Sequence, residues 1–153
     1  MERNELEIRD ATSDDLEAIA TLEASCFPIP WPLRFFESEL RAQGRISRVA
    51  VIDDLIAGYL FGMVAFDEMH INKIGIDPAH RRLGIGESLV ENALEHARTG
   101  RVETVWLELR ESNTTARLFY ERLGFAREYE RKNYYENGET ALIMLKRLGP
   151  ANG

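Results

Sequence analysis

The chain has 153 residues, of which 44% are hydrophobic and 29% are charged. That length and composition suit one domain with a buried core, and they exclude a fibrous or intrinsically disordered protein. The 26 acidic and 19 basic side chains give a net charge of -7, which disfavours direct binding to nucleic acid or to an anionic membrane and favours a basic partner.

The cysteine content and the apolar stretches predict a cytoplasmic protein without a membrane segment. Cys26 is the one cysteine, so no internal disulfide is expected, and the first five residues lack the apolar core of a secretory signal. The longest apolar stretch, residues 55–66, is interrupted by Gly58 and Gly62. It is shorter than the roughly 18 residues that span a bilayer.

The first 44 residues predict a strand and two helices. Alternating apolar and charged residues indicate the strand, and the polar residues 12–15 offer N-cap groups for the first helix. Residues 27–32 contain three prolines and cannot continue that helix, so they form a stiff apolar connector. A second helix fits residues 33–42, with three candidate buried side chains: Phe35, Phe36 and Leu40.

The middle of the chain predicts an antiparallel β-meander followed by a helix. Residues 47–52, 56–65 and 69–76 are rich in β-branched and aromatic side chains and are separated by acidic turns. From Gly84 onward the apolar residues recur with a helical period, and this helix ends at residues 99–100.

The last third predicts a strand, a helix and a hairpin. The strand spans residues 102–109, and Asn113 caps the following helix, which Gly124 closes. Two final strands, at 126–134 and 140–145, are joined by a turn that contains an Asn-Gly pair.

Together these elements predict an α+β protein around one mixed sheet. Residues 1–147 are expected to form a single domain, and residues 148–153 a flexible tail. His80 and His96 are scattered and show no metal-ligand spacing, so no metal is expected. Cys26 is interpreted as a small hydrophobic residue rather than a nucleophile, because no histidine is placed to activate it.

The segment around residues 74–86 is typical of an anion-binding loop. A strand leads into a short turn, and glycines 84 and 86 stand at the mouth of an amphipathic helix. Backbone amides there can approach a pyrophosphate closely, the helix N-terminus adds unpaired donors, and Arg81 and Arg82 add positive charge. The alternative is an ordinary glycine-rich turn. The segment is neither a Walker loop nor a Rossmann fingerprint.

Residues 81–86 match the Arg/Gln-x-x-Gly-x-Gly/Ala signature, and in this the sequence resembles the GNAT acetyltransferase family. Residues 105–113 and 118–125 resemble its RimI branch, which acetylates protein N-termini. So do residues 26–31 near the start of the chain and residues 131–135 near its end. The match runs in order over about residues 6–147, and the set of motifs is specific although each short piece is common.

The resemblance implies the GNAT fold, in which a mixed, mostly antiparallel sheet is splayed between strands 4 and 5 and flanked by about four helices. It implies acetyl-CoA as cosubstrate and direct transfer without an acetyl-enzyme. Backbone groups of three residues would bind the pantetheine arm: Ile74, Gly75 and Ile76. The pyrophosphate loop would comprise Arg81, Arg82, Leu83, Gly84, Ile85, Gly86 and Glu87, and Asn113 would reach the cofactor from beyond the fifth strand. Glu87 departs slightly from the pattern and is expected to face solvent.

The resemblance also assigns the chemistry. Glu108 matches the branch's proposed general base and Tyr120 its general acid beside the sulfur. From periodicity alone, Glu108 fits a solvated strand residue, and Tyr120 fits core packing on its helix. The packing of the Tyr120 ring is compatible with a hydroxyl aimed at the cofactor. His70 is a second candidate base, because a related N-terminal acetyltransferase group carries a catalytic tyrosine at this position.

The expected substrate is a protein N-terminus, and the first candidate is a basic ribosomal protein whose N-terminal residue is alanine. By the resemblance the peptide entrance is walled by Phe27, Trp31, Tyr134 and Tyr135, although local packing explains these residues equally well. Nearby acidic residues would attract a basic peptide. A monomer or weak homodimer is expected. The alternatives are an acetyltransferase of small amines or lysine side chains, and a non-catalytic CoA-binding module.

Overall fold

The structure is a computed structural model that describes residues 5–149. It contains seven strands, in chain order β1 Glu7–Asp10, β2 Arg45–Ile52, β3 Leu55–Ala65, β4 Glu68–Ile76, β5 Thr104–Arg110, β6 Ala126–Arg131 and β7 Ala141–Arg147. The four α-helices are α1 Leu16–Cys26, α2 Leu33–Arg41, α3 Ile85–Thr99 and α4 Thr114–Arg122. Two short 3-10 turns, Ser13–Asp15 and Pro78–His80, precede α1 and α3.

The strands form one sheet in the order β1-β2-β3-β4-β5-β7-β6, and every neighbouring pair is antiparallel except β4 and β5. The parallel pair is hydrogen-bonded only at its start, where Glu68, Met69 and His70 lie opposite Thr104, Val105 and Trp106. Beyond this point the two strands diverge. The predicted splay between strands 4 and 5 is therefore confirmed, and with it the mixed, mostly antiparallel GNAT sheet.

A β-bulge interrupts the pairing of β3 with β4. Gly62 lies opposite Ile71 and Phe61 lies opposite Lys73, so Asn72 has no partner in the ladder. A bulge places two consecutive side chains toward the same face of a sheet. Asn72 and Lys73 both point toward α1 and α2, where the Asn72 amide donates to Glu39 at 2.8 Å.

The core has one apolar cluster on each face of the sheet. The larger cluster packs α3 and the Tyr120 ring of α4 against one face, and the smaller one packs α1 and α2 against the other. Phe36 in α2 is 0% exposed, as predicted, but Phe35 is 45% exposed, so its predicted burial is wrong. A helix of only nine residues buries one narrow face, and Phe35 instead meets the edge of Trp31, with ring centroids 5.9 Å apart.

The helices and strands begin and end within a few residues of their predicted positions. β6 ends at Arg131 rather than at residue 134, because the chain there turns away into the loop before β7. Leu148 still donates a backbone hydrogen bond to Glu103 at 2.7 Å, whereas residues 150–153 of the predicted tail lie outside the described part of the chain. No helix within residues 5–149 has both the length and the apolar character needed to cross a bilayer.

Candidate active site

The divergence of β4 from β5 opens a V-shaped gap in the sheet. Past His70, β4 keeps its hydrogen bonds to β3 but pairs with no strand of residues 5–149 on the β5 side. Ile74, Gly75 and Ile76 lie in this unpaired stretch, so one edge of their backbone faces the gap. A strand edge with unpaired amides and carbonyls can bind an extended ligand that carries amide groups of its own.

A sharp loop leads from β4 to α3. Asp77 Oδ1 accepts from the Ala79 amide at 3.0 Å, and its Oδ2 lies 3.0 Å from His80 Nδ1. The Ala79 hydrogen bond, with smaller contributions from His80 and Arg81, holds the pKa of Asp77 below its usual range. The side chain thus ties the loop to the start of its 3-10 turn.

The end of the loop exposes the N-terminus of α3. Arg82 and Gly84 adopt left-handed backbone conformations, with φ of 70° and 76°. A Cβ on Gly84 would meet nothing within 4 Å, so its backbone borders open space. The first intrahelical bond is donated by Ser88 to the Gly84 carbonyl at 3.0 Å, which leaves the preceding amides available to a ligand. Arg81, Arg82, Leu83 and Glu87 are exposed around this terminus.

The remaining predicted cofactor residues border the same region. A Cβ on Gly86 would come within 3.2 Å of the Phe119 ring, so a glycine lets α3 and α4 approach each other closely. Asn113 caps α4, since its Oδ1 accepts from the Ala116 amide at 3.1 Å. Its side-chain NH2 makes no hydrogen bond within residues 5–149. A strand edge, a helix N-terminus and two arginines together suit the amides and the pyrophosphate of a CoA thioester.

His70 and Glu108 meet where β4 and β5 separate. Glu108 shares its face of β5 with Trp106 and Arg110, and His70 Nε2 lies 3.0 Å from Glu108 Oε1. The His70 ring stacks on Trp106, with centroids 3.8 Å apart and planes inclined by 10°. Both side chains keep some access to solvent, 29% for His70 and 17% for Glu108. Stacking and hydrogen bonding together orient the imidazole.

Tyr134 joins this pair from the loop between β6 and β7. The contact with His70 is the main cause that lowers the pKa of Glu108, partial burial opposes it, and the nearby Tyr134 hydroxyl adds to the lowering. The nearby Glu108 carboxylate in turn raises the pKa of Tyr134. The carboxylate is therefore ionised at neutral pH, and the tyrosine is neutral.

Arg110 fixes the rest of that loop. Its guanidinium lies 4.0 Å from the centroid of the Tyr135 ring and contacts Glu136 at 3.1 Å and Glu139 at 3.4 Å. Burial raises the pKa of Tyr135 to about 12, with the charge of Glu108 as the next cause. Tyr134 and Tyr135 pack edge to face, with centroids 5.1 Å apart.

Tyr120 lies on α4 and is buried in the larger apolar cluster. Its ring packs edge to face against Phe119 and Phe125, at centroid distances of 5.0 and 5.4 Å. Burial raises its pKa above the ordinary value of 10.0, so the hydroxyl keeps its proton. Within residues 5–149 no hydrogen bond links this hydroxyl to another residue, and none joins Tyr120 to Glu108. The core packing predicted for the ring is confirmed, while the catalytic role stays a prediction.

Phe27 and Trp31 lie at the two ends of the connector between α1 and α2. The Lys73 ammonium is 3.6 Å from the Phe27 ring centroid and 5.4 Å from that of Trp31. No ring contact or hydrogen bond within residues 5–149 joins them to Tyr134 or Tyr135, so the two predicted walls are separate structures. No sequence motif indicates a role for Lys73.

Gly75 touches a buried polar network through Tyr59. A Cβ at position 75 would overlap the Tyr59 hydroxyl and ring, and this hydroxyl donates to the fully buried Glu23. Gly75→Ala is therefore expected to lower the free energy of unfolding by about 2–3 kcal/mol, as overpacking and a disturbed hydrogen bond combine. Urea denaturation of the two proteins measures the difference.

Gly100→Ala is the matched control for this substitution. Gly100 has an ordinary φ of -86°, and a Cβ there would first meet the His96 carbonyl oxygen at 3.4 Å. We expect a change of less than about 0.5 kcal/mol, typical of an unconstrained position. Equal stabilities of the two variants would contradict the assigned contact between Gly75 and Tyr59.

Comparison with known proteins agrees with this geometry. The family model for the acetyltransferase (GNAT) family matches residues 16–125. The ribosomal protein bS18-alanine N-acetyltransferase of Salmonella typhimurium is 33% identical over 136 residues, covering 87% of this chain and 91% of that protein. An N-alpha-acetyltransferase of Saccharolobus solfataricus is 28% identical over 154 residues, covering 92% of each.

A solved structure shows the same fold over nearly the whole chain. The crystal structure of the ribosomal-protein-S18-alanine N-acetyltransferase from Escherichia coli superposes with a TM-score of 0.89 at 30% identity and covers 97% of each chain. The family match, the relatives and the splayed sheet with its exposed helix N-terminus lead to one assignment. The chain belongs to the GNAT family of acetyltransferases, which use acetyl-CoA as the acetyl donor.

Proposed function

We propose that this chain is an N-alpha-acetyltransferase that transfers the acetyl group of acetyl-CoA to a protein N-terminal amine, with the N-terminal alanine of a ribosomal protein as the first candidate. The observation that carries this proposal is the cluster of His70, Glu108 and Tyr134 where β4 and β5 diverge. Two relatives support it, one named a ribosomal protein bS18-alanine N-acetyltransferase and one named an N-alpha-acetyltransferase.

Acetyl-CoA is proposed to bind along the open edge of β4. The backbone of Ile74, Gly75 and Ile76 would pair with the pantetheine amides, and the exposed first turn of α3 would receive the pyrophosphate. Arg81 and Arg82 add charge at that end, and the Asn113 side-chain NH2 can donate from the start of α4. This placement directs the thioester toward the His70–Glu108 pair.

The proton of the amine is proposed to leave through the His70–Glu108 pair. Glu108 alone is a weak base, because its pKa lies below the usual value of 4.5. The His70 imidazole beside it is the second base available, and it is held by a carboxylate and a stacked indole. The two residues act as one unit, with a water able to carry the proton from the amine to the pair.

Tyr120 is proposed to stabilise the departing thiolate by hydrogen bonding. A buried tyrosine with a raised pKa is a poor acid, since transfer to a thiolate of reference pKa near 8.5 is uphill by more than about 1.5 units. A hydroxyl that keeps its proton is nevertheless a good donor to negative charge. The packed ring fixes the position of that donor.

An N-terminal amine is the substrate that this weak base can serve. Its reference pKa near 8 lies about 2.4 units below that of lysine, a difference of roughly 3.3 kcal/mol in the cost of deprotonation near neutral pH. The connector with Phe27 and Trp31 and the loop with Tyr134 and Tyr135 would wall the peptide on two sides. Carboxylates in that loop, Glu136 and Glu139, suit a basic peptide.

A substrate panel tests the proposal against its alternatives. The panel contains N-terminal peptides, the same peptides with blocked N-termini and free lysines, and small polyamines, each with acetyl-CoA and analysed by mass spectrometry. We expect product only from the free N-terminal peptides, and most from those that begin with alanine. Product only from lysines or polyamines would replace the proposal with the small-amine activity. Binding of acetyl-CoA by calorimetry without any product would indicate a non-catalytic module.

A further inference from the structure

A buried carboxylate lies beneath the connector between α1 and α2. The Glu23 side chain is 0% exposed and accepts hydrogen bonds from three separate parts of the chain. The Trp31 amide donates at 2.9 Å, the Lys73 ammonium at 2.8 Å, and the Tyr59 hydroxyl provides the third bond. An ionised carboxylate is costly to bury unless it is paired and hydrogen-bonded, so this set of donors makes Glu23 tolerable in the core.

Lys73 connects this carboxylate to the aromatic side chains of the connector. The bulge at Asn72 turns Lys73 toward α1, and its side chain is only 15% exposed. One side of the ammonium meets Glu23, and the other meets the face of Phe27 and, farther away, Trp31. The cation–π interaction stabilises a partly desolvated cation more than it stabilises an exposed one.

The connector has two further attachments: the Cys26 thiol just before it lies 3.2 Å from the Ile76 carbonyl oxygen, and the Trp31 ring packs on Phe36 with centroids 5.2 Å apart. Ile29 in the middle of the connector is 69% exposed. Both aromatic residues of the connector also contact one ion pair, Glu23 with Lys73. A change in that ion pair is expected to move both rings together.

We propose that Lys73 is a positioning residue for the peptide substrate: it binds buried Glu23 and the face of Phe27, and so fixes the aromatic wall that Phe27 and Trp31 form. This inference rests on the proposed function, because only there are these rings a peptide wall. Lys73 touches neither the thioester nor the reacting amine in this proposal. Its replacement therefore weakens peptide binding and spares the chemical step.

Steady-state kinetics test this split between binding and chemistry. In Lys73→Met the KM for an N-terminal peptide is expected to rise about tenfold, the value of one charge-assisted hydrogen bond, with kcat within about twofold of wild type. The Kd for acetyl-CoA stays unchanged. Lys146→Met is the control, since the Lys146 ammonium also donates a partly buried bond, at 2.9 Å to the Leu123 carbonyl, but outside the connector.

Fluorescence of Trp31 tests the same proposal without any substrate. The chain has two tryptophans, so Trp106→Phe leaves Trp31 as the only tryptophan, which selective tryptophan excitation reports. In that background Lys73→Met is expected to shift the emission to longer wavelength and to increase quenching by acrylamide, whereas Lys146→Met does neither. This measurement stays informative even if no N-terminal peptide proves to be a substrate, a result that would overturn the proposed function alone.

The double variant Glu23→Gln/Lys73→Met covers the case in which Lys73→Met fails to fold. It removes both charges, and such a replacement is better tolerated than one that leaves a buried charge unpaired. We expect its peptide KM to rise no more than in either single variant, because the two residues act as one unit. A folded variant lacking Lys73 that keeps the wild-type KM and the wild-type Trp31 quenching would overturn the inference.

Discussion

Glu108→Gln is expected to lower kcat for an N-terminal peptide by about 10²–10³-fold at neutral pH, while the Kd for acetyl-CoA stays within about twofold of wild type. The amide cannot balance the charge that develops on His70 when the pair accepts a proton. Steady-state rate assays at saturating acetyl-CoA measure kcat, and calorimetry measures the Kd for acetyl-CoA. Glu91→Gln removes an exposed carboxylate from α3 and serves as the control.

The pH dependence of this variant gives a sharper result. Because the pKa of Glu108 lies below 4.5, its carboxylate is ionised near neutral pH and above and does not itself titrate in that range. At low pH nearly all substrate amines are protonated, so the pair contributes most there, and we expect the loss in Glu108→Gln to shrink as the pH rises toward 9. A variant with unchanged rates across this range would remove Glu108 from the proton path and leave His70 as the candidate.

The lowered pKa of Glu108 also makes the stability of the fold depend on pH in the acid range. A carboxyl whose pKa is lower in the folded than in the unfolded state adds stability above the unfolded value, and this stability is lost as the pH falls through the folded value. We expect Glu108→Gln to be less stable than wild type at pH 7, and the difference to disappear as the pH falls through the lowered pKa of Glu108.

Tyr120→Phe is expected to lower kcat by about 10–100-fold without a measurable change in the melting temperature. Phenylalanine preserves the edge-to-face packing against Phe119 and Phe125 and removes only the hydroxyl, which no residue in 5–149 binds. The loss is therefore expected in turnover rather than in folding. Kinetics and calorimetric melting of the same preparation separate the two effects.

A second property of Tyr120 is visible in the wild-type enzyme. Burial raises the pKa of Tyr120 above 10.0, so its hydroxyl stays protonated throughout the assay range. The wild-type rate is therefore expected not to fall below about pH 10 through loss of the Tyr120 proton, and Tyr120→Phe is expected to leave the shape of the pH profile unchanged there. Tyr129→Phe, at a tyrosine of the exposed strand β6, is the control and is expected to behave as wild type. Wild-type kcat in Tyr120→Phe would assign the leaving thiolate to another donor.

Local patterns in the sequence were sufficient to predict most of the fold. The apolar stripe of α3, the Asn113 cap and the left-handed Gly124 at the end of α4 all depend on residues within a few positions of one another. Predictions of this kind need no knowledge of distant contacts. The alternation of β5 likewise indicated that Glu108 shares a face with Trp106 and Arg110.

The contacts of the candidate site depend on pairing between distant segments. His70 reaches Glu108 because β4 and β5 pair in parallel with His70 opposite Trp106, a register that neither strand specifies alone. Lys73 reaches Glu23 because a bulge at Asn72 shifts the alternation of β4 by one residue. One local signal was available: Glu23 lies on the buried face of α1 with Ile19, where an acidic side chain requires a partner.

The position of the transferred acetyl group tests the central proposal most directly. A peptide with a free N-terminal alanine and one internal lysine is incubated with acetyl-CoA and the protein, and tandem mass spectrometry locates the added group. The His70–Glu108 pair predicts acetylation of the alanine α-amine with the lysine unmodified, and loss of that product in Glu108→Gln. Acetylation of the lysine alone, or equal α-amine product from wild type and Glu108→Gln, would contradict the account.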